Sequence, residues 1–394
     1  MHYTPHDANQ SSQTALPATF SLARRIEDIN PEQWDRLAGS QPFVQHAFLL
    51  ALEQTGCATA ETGWAPHHLL MHRENMLAGA MPLYLKSHSR GEYVFDYAWA
   101  DAYQRHGLHY YPKLLSAIPF TPVSGPRLLA NNHEDRVRLA KEAVQICRQN
   151  ALSSLHILFP SATEQAALEE AGFLFRYNVQ FHWTNQGYRR MDDFLASLNQ
   201  QKRKKLKQDR KKSVQAGVKF RWLQGNQIDE DTLAFFYRCY SKTYLEHGNA
   251  PYLSLAFFQA LHAHMAASMV IIMAEQDGQP MAAALNISDG RALYGRYWGS
   301  LRFISGLHFE TCYMQGIEFC IAHGLSAFEG GAQGEHKLSR GLLPVSTYSA
   351  HWIADPRFAH AIDDYLNQET PAVDAYLGEL HEHSPFKMGQ ERSR

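Results

Sequence analysis

Two stretches of this chain echo each other at a fixed distance, and a chain that does so is built from two copies of one folding unit. Trp99 is followed after seven residues by Gly107-Leu108-His109-Tyr110, and Trp298 by Gly306-Leu307-His308-Phe309 at the same distance. Ile118 and Phe120 fall opposite Ile317 and Phe319 at the same offset of 199 residues. Upstream, Leu69 to Leu85 reads as strand, turn at Glu74-Asn75, strand, and Met269 to Ile287 reads the same way about Asp277-Gly278. Each copy then predicts a third strand, Glu92 to Trp99 or Arg291 to Trp298, followed by a helix. Period two puts Ala292, Tyr294, Arg296 and Trp298 on one face of the later strand, and an arginine among aromatics there reads as a residue facing a ligand.

Downstream in the first copy the pattern predicts a helix from Asn132 to Asn150, a strand from Ser154 to Phe159, a short helix ending at Gly172, and a strand from Phe173 to Trp183. In the second copy a helix runs from His308 to His323, and Ser326 to Glu329 and Pro344 to Ile353 read as strands. Between the copies, residues 191–217 read as a basic connecting helix with eight cations from Lys202 to Lys212. Such a helix is either a solvated joint or a phosphate site, Lys204 and Lys205 being the candidates for the second role. The expected organisation is therefore a lead-in at 1–19, an α/β (α+β) domain at 20–190, the connecting helix, and a second domain at 218–394.

Bulk properties narrow the classes. At 394 residues, two cores are the default expectation. A hydrophobic fraction of 45% with 19% charged residues excludes disorder and fibrous repeats, and a net charge of −2 excludes a surface coated in cations. No apolar run is long enough for a membrane span. The first 19 residues lack a signal-peptide pattern, which predicts a disordered lead-in to a cytoplasmic protein. Five cysteines without CxxC spacing predict neither a disulfide framework nor a structural zinc, and the grouped histidines lack a matching ligand set, so no metal is expected.

The chemistry concentrates at Phe328 to Gly341, FEGGAQGEHKLSRG. Glycines that allow close backbone approach deliver Glu329, Glu335, His336, Lys337 and Arg340 to one region behind a short strand. A solvated charge cluster on a glycine-rich turn is the plain alternative. If the region is a site, Glu329 at the strand end is the first choice for a proton acceptor, His336 the second, Glu335 orients one of them, and Arg340 clamps a carboxylate. Arg296 and Trp298 would face the substrate.

FEGGAQGEHKLSRG, with PFTPVSGPRLL at Pro119 to Leu129 and HGNAPYLSLAFF at His247 to Phe258, resembles the FemAB-like group of N-acyltransferases, from about Phe20 to Asp374. That resemblance implies tandem domains of the GNAT acyltransferase fold, each with a mostly antiparallel sheet flanked by helices. It implies transfer of an acyl or aminoacyl group from acyl-CoA or aminoacyl-tRNA to a small-molecule or peptidyl amine, such as a cell-wall precursor peptide. Acyl-CoA would be a co-substrate, with no tightly bound cofactor. Lys337 would hold a phosphate or developing oxyanion, and His247 and Tyr252 the acceptor. Pyrophosphate loops are expected at Gln104 to Gly107 and before Gly306, although His109 replaces a small residue in the first and the second is one residue too long. A recognition module that only binds peptidoglycan fragments or nucleic acid is the competing expectation.

Overall fold

The computed structural model describes residues 18–331 and 334–387, so most of the expected lead-in lies outside the described residues. Both hairpins form as the sequence predicts. His68–Arg73 and Met76–Met81 turn at Glu74-Asn75, and Met269–Gln276 and Gln279–Ser288 turn at Asp277-Gly278. All four turn residues have positive φ, between 49° and 75°, as a two-residue turn matched to strand twist requires. Helices begin where short polar side chains accept a backbone N–H: Asn132 from Asp135, Asn199 from Lys202, Asp229 from Thr232, Ser254 from Phe257. The connecting segment is two helices, Met191–Ser197 and Gln200–Gln215, rather than one.

The halves before and after this segment are not separate in space. One eleven-stranded sheet runs from Val218–Gln224 at one edge through Met269–Gln276, Gln279–Ser288, Ala292–Ser300 and Ala327–Glu329. It continues through Leu174–Thr184, Leu343–Ile353, Ser154–Leu158, Lys113–Ser116, Tyr84–Lys86 and Trp64–Pro66. The last long strand of each half has crossed over: Leu174–Thr184 pairs with Ala327–Glu329, and Leu343–Ile353 pairs with Ser154–Leu158. Segments 20–190 and 218–394 thus divide the chain in sequence while exchanging strands in the fold. Two independent cores do not form either, because the largest buried cluster joins Trp34, Phe43 and Phe48 to Phe257, Ile271 and Tyr294. A further four-stranded sheet in the first half takes Thr19–Ala23, His68–Arg73, Met76–Met81 and Leu129–Ala130.

The duplication is physical, but its register is not the offset of 199. Glu92 to Trp99, expected as a strand, leads into a helix at Tyr97–Arg105, where Trp99 and Tyr103 are buried one turn apart while Phe95 and Tyr97 are exposed. Trp298 lies on a strand, so the two tryptophans are not equivalent. The true counterparts stand 173 residues apart. Cys147 donates its thiol to the Ser154 carbonyl at 3.6 Å, and Cys320 does the same to Ala327 at 3.6 Å. The Leu152 N–H returns to the Cys147 carbonyl at 3.0 Å, and that of Leu325 to Cys320 at 2.8 Å. In this register Glu329 corresponds to His156, and the exchanged strands set His182 opposite Glu329 and His351 opposite His156.

Helix Glu230–Glu246 lies against strand Ala292–Ser300 at Gly299, where an added Cβ would stand 1.9 Å from the Cys239 carbonyl oxygen. Neither backbone can yield cheaply at that spacing. Gly299→Ala is expected to destabilise the fold by about 3 kcal/mol, read from the urea midpoint. A loss below about 0.5 kcal/mol, the scale of an indifferent surface change, would contradict this packing.

Candidate active site

Strands Ala292–Ser300 and Ala327–Glu329 run parallel and pair only at Ala292 with Ala327, Leu293 with Phe328 and Tyr294 with Glu329. Beyond that point they part. On one side Leu285 pairs with Tyr297 and Asn286 with Gly295, which leaves Arg296 as the extra residue of a β-bulge that bends the strand. On the other side the chain leaves the sheet through Gly330 and Gly331. Leu342 would stand 2.6 Å from a Cβ on Gly330, and Gly331 has φ of +87°.

The parting opens a cleft of about 280 Å³ lined by Gly295, Trp298, His308, Tyr313, Gly330 and Gly331. A second hollow of about 420 Å³ is lined by Arg90, Phe95, Tyr97 and Tyr252, and Tyr93, Arg296 and Gly331 line both. Where the strands separate, their facing N–H and C=O groups lose their ladder partners.

Next to the glycine pair, and outside the residues that line either hollow, sits a polar nook. Glu329 and His182 approach to 3.7 Å between Oε2 and Nε2. Burial pushes the Glu329 carboxyl up to about 8, opposed by the Arg296 charge, while burial and the nearby Lys337 push His182 down to about 4. Between those values both groups are uncharged, so this is a carboxylic acid beside a neutral imidazole. Lys337 is 2% exposed and donates from Nζ to the Gly331 carbonyl at 2.6 Å. Burial lowers its pKa to about 8. Among the described residues the cleft wall here is the glycine pair, with the Lys337 ammonium set against its carbonyl.

The remaining expected site residues divide. Arg296 and Trp298 line the cleft, the former donating from Nη2 to the Phe120 carbonyl at 2.8 Å while its buried Nε has no partner among the described residues. Tyr252 lines the second hollow and stacks on Phe120 at 4.8 Å. His336 is exposed and reaches the Tyr313 hydroxyl at 3.2 Å.

The described partners of Arg340 are protein groups, and its buried Nε has none among the described residues. Its Nη1 donates to the His336 carbonyl at 2.6 Å and its guanidinium covers the Phe309 ring at 3.7 Å. Glu335 accepts from the Tyr376 hydroxyl at 2.5 Å and orients neither proposed base. His247 is an exposed helix-end residue bonded to the Thr243 carbonyl at 2.7 Å, outside both hollows.

The first pyrophosphate loop is corrected by position. Gln104 and Gly107 lie at the C-terminal end of helix Tyr97–Arg105, where orphan carbonyls and the negative pole of the helix repel phosphate. Gly306, with φ of +84°, is at the N-terminal end of the helix that begins at Leu307, the favourable pole. Lys204 and Lys205 are exposed on the basic helix. That helix is tied to the Leu307–His323 run by Arg210, which meets Glu310 at 3.1 Å and Glu318 at 2.5 Å.

Sequence reading missed His182 and His308. His308 lines the cleft against Trp298 at 5.1 Å, and burial lowers it to about 4. His182 was visible only as a lone histidine in a strand. Its pairing with Glu329 depends on the strand exchange, which no local pattern encodes. No group of three metal-ligating side chains exists among the described residues, and no helix there is long and apolar enough to cross a membrane.

In the first half the equivalent parting is filled. The segment between Lys113–Ser116 and Leu129–Ala130 bridges from Gly125 to Pro160. Arg127, 1% exposed, donates to the carbonyls of Leu158 at 3.0 Å and Val123 at 2.7 Å.

A family model described as FemAB-like, peptidoglycan biosynthesis/recognition, matches residues 25–388. Among solved structures, FemX superimposes with a TM-score of 0.53 at 12% identity, covering 85% of this chain and 98% of that one. The C-terminal domain of a putative lysylphosphatidylglycerol synthetase from Agrobacterium fabrum gives 0.52 at 10%, covering 85% and 96%. A conserved protein of unknown function from Bacteroides thetaiotaomicron gives 0.52 at 9%, covering 85% and 100%. At such identities the likeness is one of fold. No curated protein matches the sequence.

The Glu329 carboxyl yields a stability test. Its raised pKa means that the folded chain keeps this proton up to about pH 8, whereas the unfolded chain releases it near the ordinary value of 4.5. The contribution is therefore complete below 4.5 and declines as pH rises toward 8. Glu329→Gln should raise the melting temperature more at pH 8 than at pH 4.5. An equal shift at both would show that the carboxyl is not held neutral.

Proposed function

Because the chain belongs to the FemAB-like family, described as peptidoglycan biosynthesis/recognition, we propose that it is an N-acyltransferase. In this reading the cleft takes an activated acyl or aminoacyl donor between its parted strands and passes the acyl group to an amine. The observation that supports it is the open parting of Ala292–Ser300 from Ala327–Glu329, ending at a carboxyl whose pKa is raised to about 8. The donor's chain lies extended along the unpaired backbone. Its carbonyl comes to rest by Gly330 and Gly331, and its phosphates extend toward the helix start at Gly306. Acyl-CoA and aminoacyl-tRNA are the donor classes, and the second hollow, with Tyr252, receives the acceptor, a cell-wall precursor peptide being the class the family description favours.

The amine nitrogen attacks the donor carbonyl, forming the new C–N bond. The proton released from that nitrogen passes to the Glu329 carboxylate, and Glu329 gives it up again, directly or through water, to the departing thiolate or ribose oxygen as that atom's bond to the carbonyl carbon breaks. Glu329 suits an amine because its pKa lies between those of ordinary carboxylates and amines, so proton transfer is near balance. Lys337 acts through the Gly331 carbonyl, holding the glycine pair in place, and adds positive charge near the developing oxyanion. Arg296, whose Nε–H has no partner among the described residues, is positioned for an anionic group on either substrate.

Product formation by wild type and variants with a working donor tests the assignment. Lys337→Ala is expected to lower kcat on the order of 10²-fold, and Glu329→Gln on the order of 10² to 10⁴-fold. The wild-type rate should form a bell near pH 8, rising as Glu329 ionises and falling as Lys337 loses its charge, with Glu329→Gln abolishing the rising limb. Equal rates for wild type and Lys337→Ala would remove this site. Binding of a muropeptide without turnover of any donor would point instead to a recognition module.

A further inference from the structure

Among the described residues the most exposed large apolar side chain is Phe303, at 95%, on the loop between the cleft strand Ala292–Ser300 and the helix start at Leu307. Leu301 on the same loop is 37% exposed. Exposing a phenylalanine to water is costly without a partner surface, since burying such a side chain is strongly favourable. Its neighbours show what that surface is.

The basic helix Gln200–Gln215 packs beside this loop. An added Cβ on Gly306 would meet the Asp209 carbonyl oxygen at 3.7 Å. Ile304 and Ala216 pack against one small cluster with Leu307 and Ala282. Leu206 and Ser213, seven residues apart, face the body of the protein and fix which side of the helix is outward. Lys204, Lys207 and Lys211 follow one another at three- and four-residue spacing on the outward side with Lys205 beside them, all exposed. None has a carboxylate partner among the described residues, whereas Arg210 and Lys212 do. Val214, 70% exposed, adds an aliphatic side chain at the end of the helix that adjoins the loop. In a chain of net charge −2 this is a concentrated patch of one sign.

We propose that this face, the outward side of helix Gln200–Gln215 together with the loop bearing Leu301 and Phe303, docks on an anionic lipid bilayer. The lysines supply attraction to the headgroups and Phe303, Leu301 and Val214 enter the boundary between headgroup and acyl chain. The chemistry favours lipid over nucleic acid. A nucleic-acid strand asks for aromatic rings in series along a cationic groove. Here a single ring stands at a loop tip among aliphatic side chains. Docking this way would bring the strand that carries Arg296 and Trp298 up to the membrane surface. The proposal does not depend on the acyl-transfer reading.

Co-sedimentation of the full chain with vesicles tests it, comparing phosphatidylcholine alone with phosphatidylcholine containing phosphatidylglycerol. Wild type should pellet with the mixed vesicles, remain in solution with the neutral ones, and be largely released by high salt. The triple variant K204Q/K205Q/K211Q should bind about tenfold more weakly. Phe303→Ser, which keeps every charge, should lose affinity about threefold or more. All four positions are exposed, so melting temperatures should match wild type; if the triple variant does not fold, Phe303→Ser alone decides. Absence of vesicle binding, equal binding to both vesicle types, or undiminished binding by Phe303→Ser would overturn the proposal. Salt-sensitive retention of a short RNA without vesicle binding would overturn it in favour of a nucleic-acid face.

Discussion

The antiparallel pairing of Leu174–Thr184 with Leu343–Ile353, nine residue pairs long, is the interaction on which the rest of the molecule depends. Each of these strands closes the sheet of the other half, so neither half has a complete ladder alone. Separating them would leave two rows of backbone donors and acceptors unpaired in the interior, at roughly 1–3 kcal/mol for each group stranded there. The exchange also distributes chemistry. His182 comes to Glu329 from the first half, and His351 comes to His156 from the second, so each polar nook is completed by a strand from the opposite half of the chain.

Both nooks show what burial does to ionisable groups when no full ion pair is supplied. Glu329 and His182 are each moved toward their neutral forms. In the first half His156 and His351 meet Nδ1 to Nδ1 at 2.7 Å, which requires one ring to donate to the other, and burial lowers the pKa of both. The difference lies in what surrounds them. His156 is fixed by the Tyr110 hydroxyl at 2.9 Å and Ser154 at 2.8 Å within a sealed network that also holds Lys113, Glu92 and Asp96. Glu329 keeps its proton at a strand end, its side chain 18% exposed, next to the glycine pair that lines the cleft. A neutral acid that is only partly buried keeps some access to solvent, whereas a sealed histidine pair orders the interior.

Much of this was written locally in the chain. The hairpins were legible because alternation and two turn residues with positive φ leave few alternatives, and the end of Ala327–Glu329 was legible because an apolar strand running into Gly-Gly has to leave its sheet. The copy register was misread because Trp followed by Gly-Leu-His is a similarity of residue types with no shared backbone role. The signal that mattered was Cys-x-x-x-x-Leu-Ser, Cys147 to Ser153 and Cys320 to Ser326, where the same thiol and N–H bonds recur. Alternating aromatics from Tyr93 to Trp99 imitated a strand, and the helix won because Trp99 and Tyr103, one turn apart, could both be buried. Arg340 looked like a ligand clamp from its charge, but its partners, the Phe309 ring and the His336 carbonyl, appear only in three dimensions. The strand exchange, and with it His182, could not be read from any window of sequence.

The asymmetry between the copies follows from one guanidinium. Where two parallel strands part, the exposed carbonyls must be met by water, by a guest or by protein. In the first half the Arg127 guanidinium meets the Leu158 and Val123 carbonyls, and Glu164 accepts the Arg127 backbone N–H at 2.7 Å. A buried arginine held by carbonyls and a carboxylate cannot be displaced cheaply, since a ligand entering there would strand a charge. In the second half an arginine that is not its counterpart in register, Arg296, stands on a bulge at the cleft edge, donates to the Phe120 carbonyl, and has no partner for its Nε–H among the described residues. Phe120 belongs to the same segment that fills the first parting, so the closure of one copy also supplies a wall and an anchor for the other. Among the described residues the parting is thus a filled strut in one half and an open groove in the other.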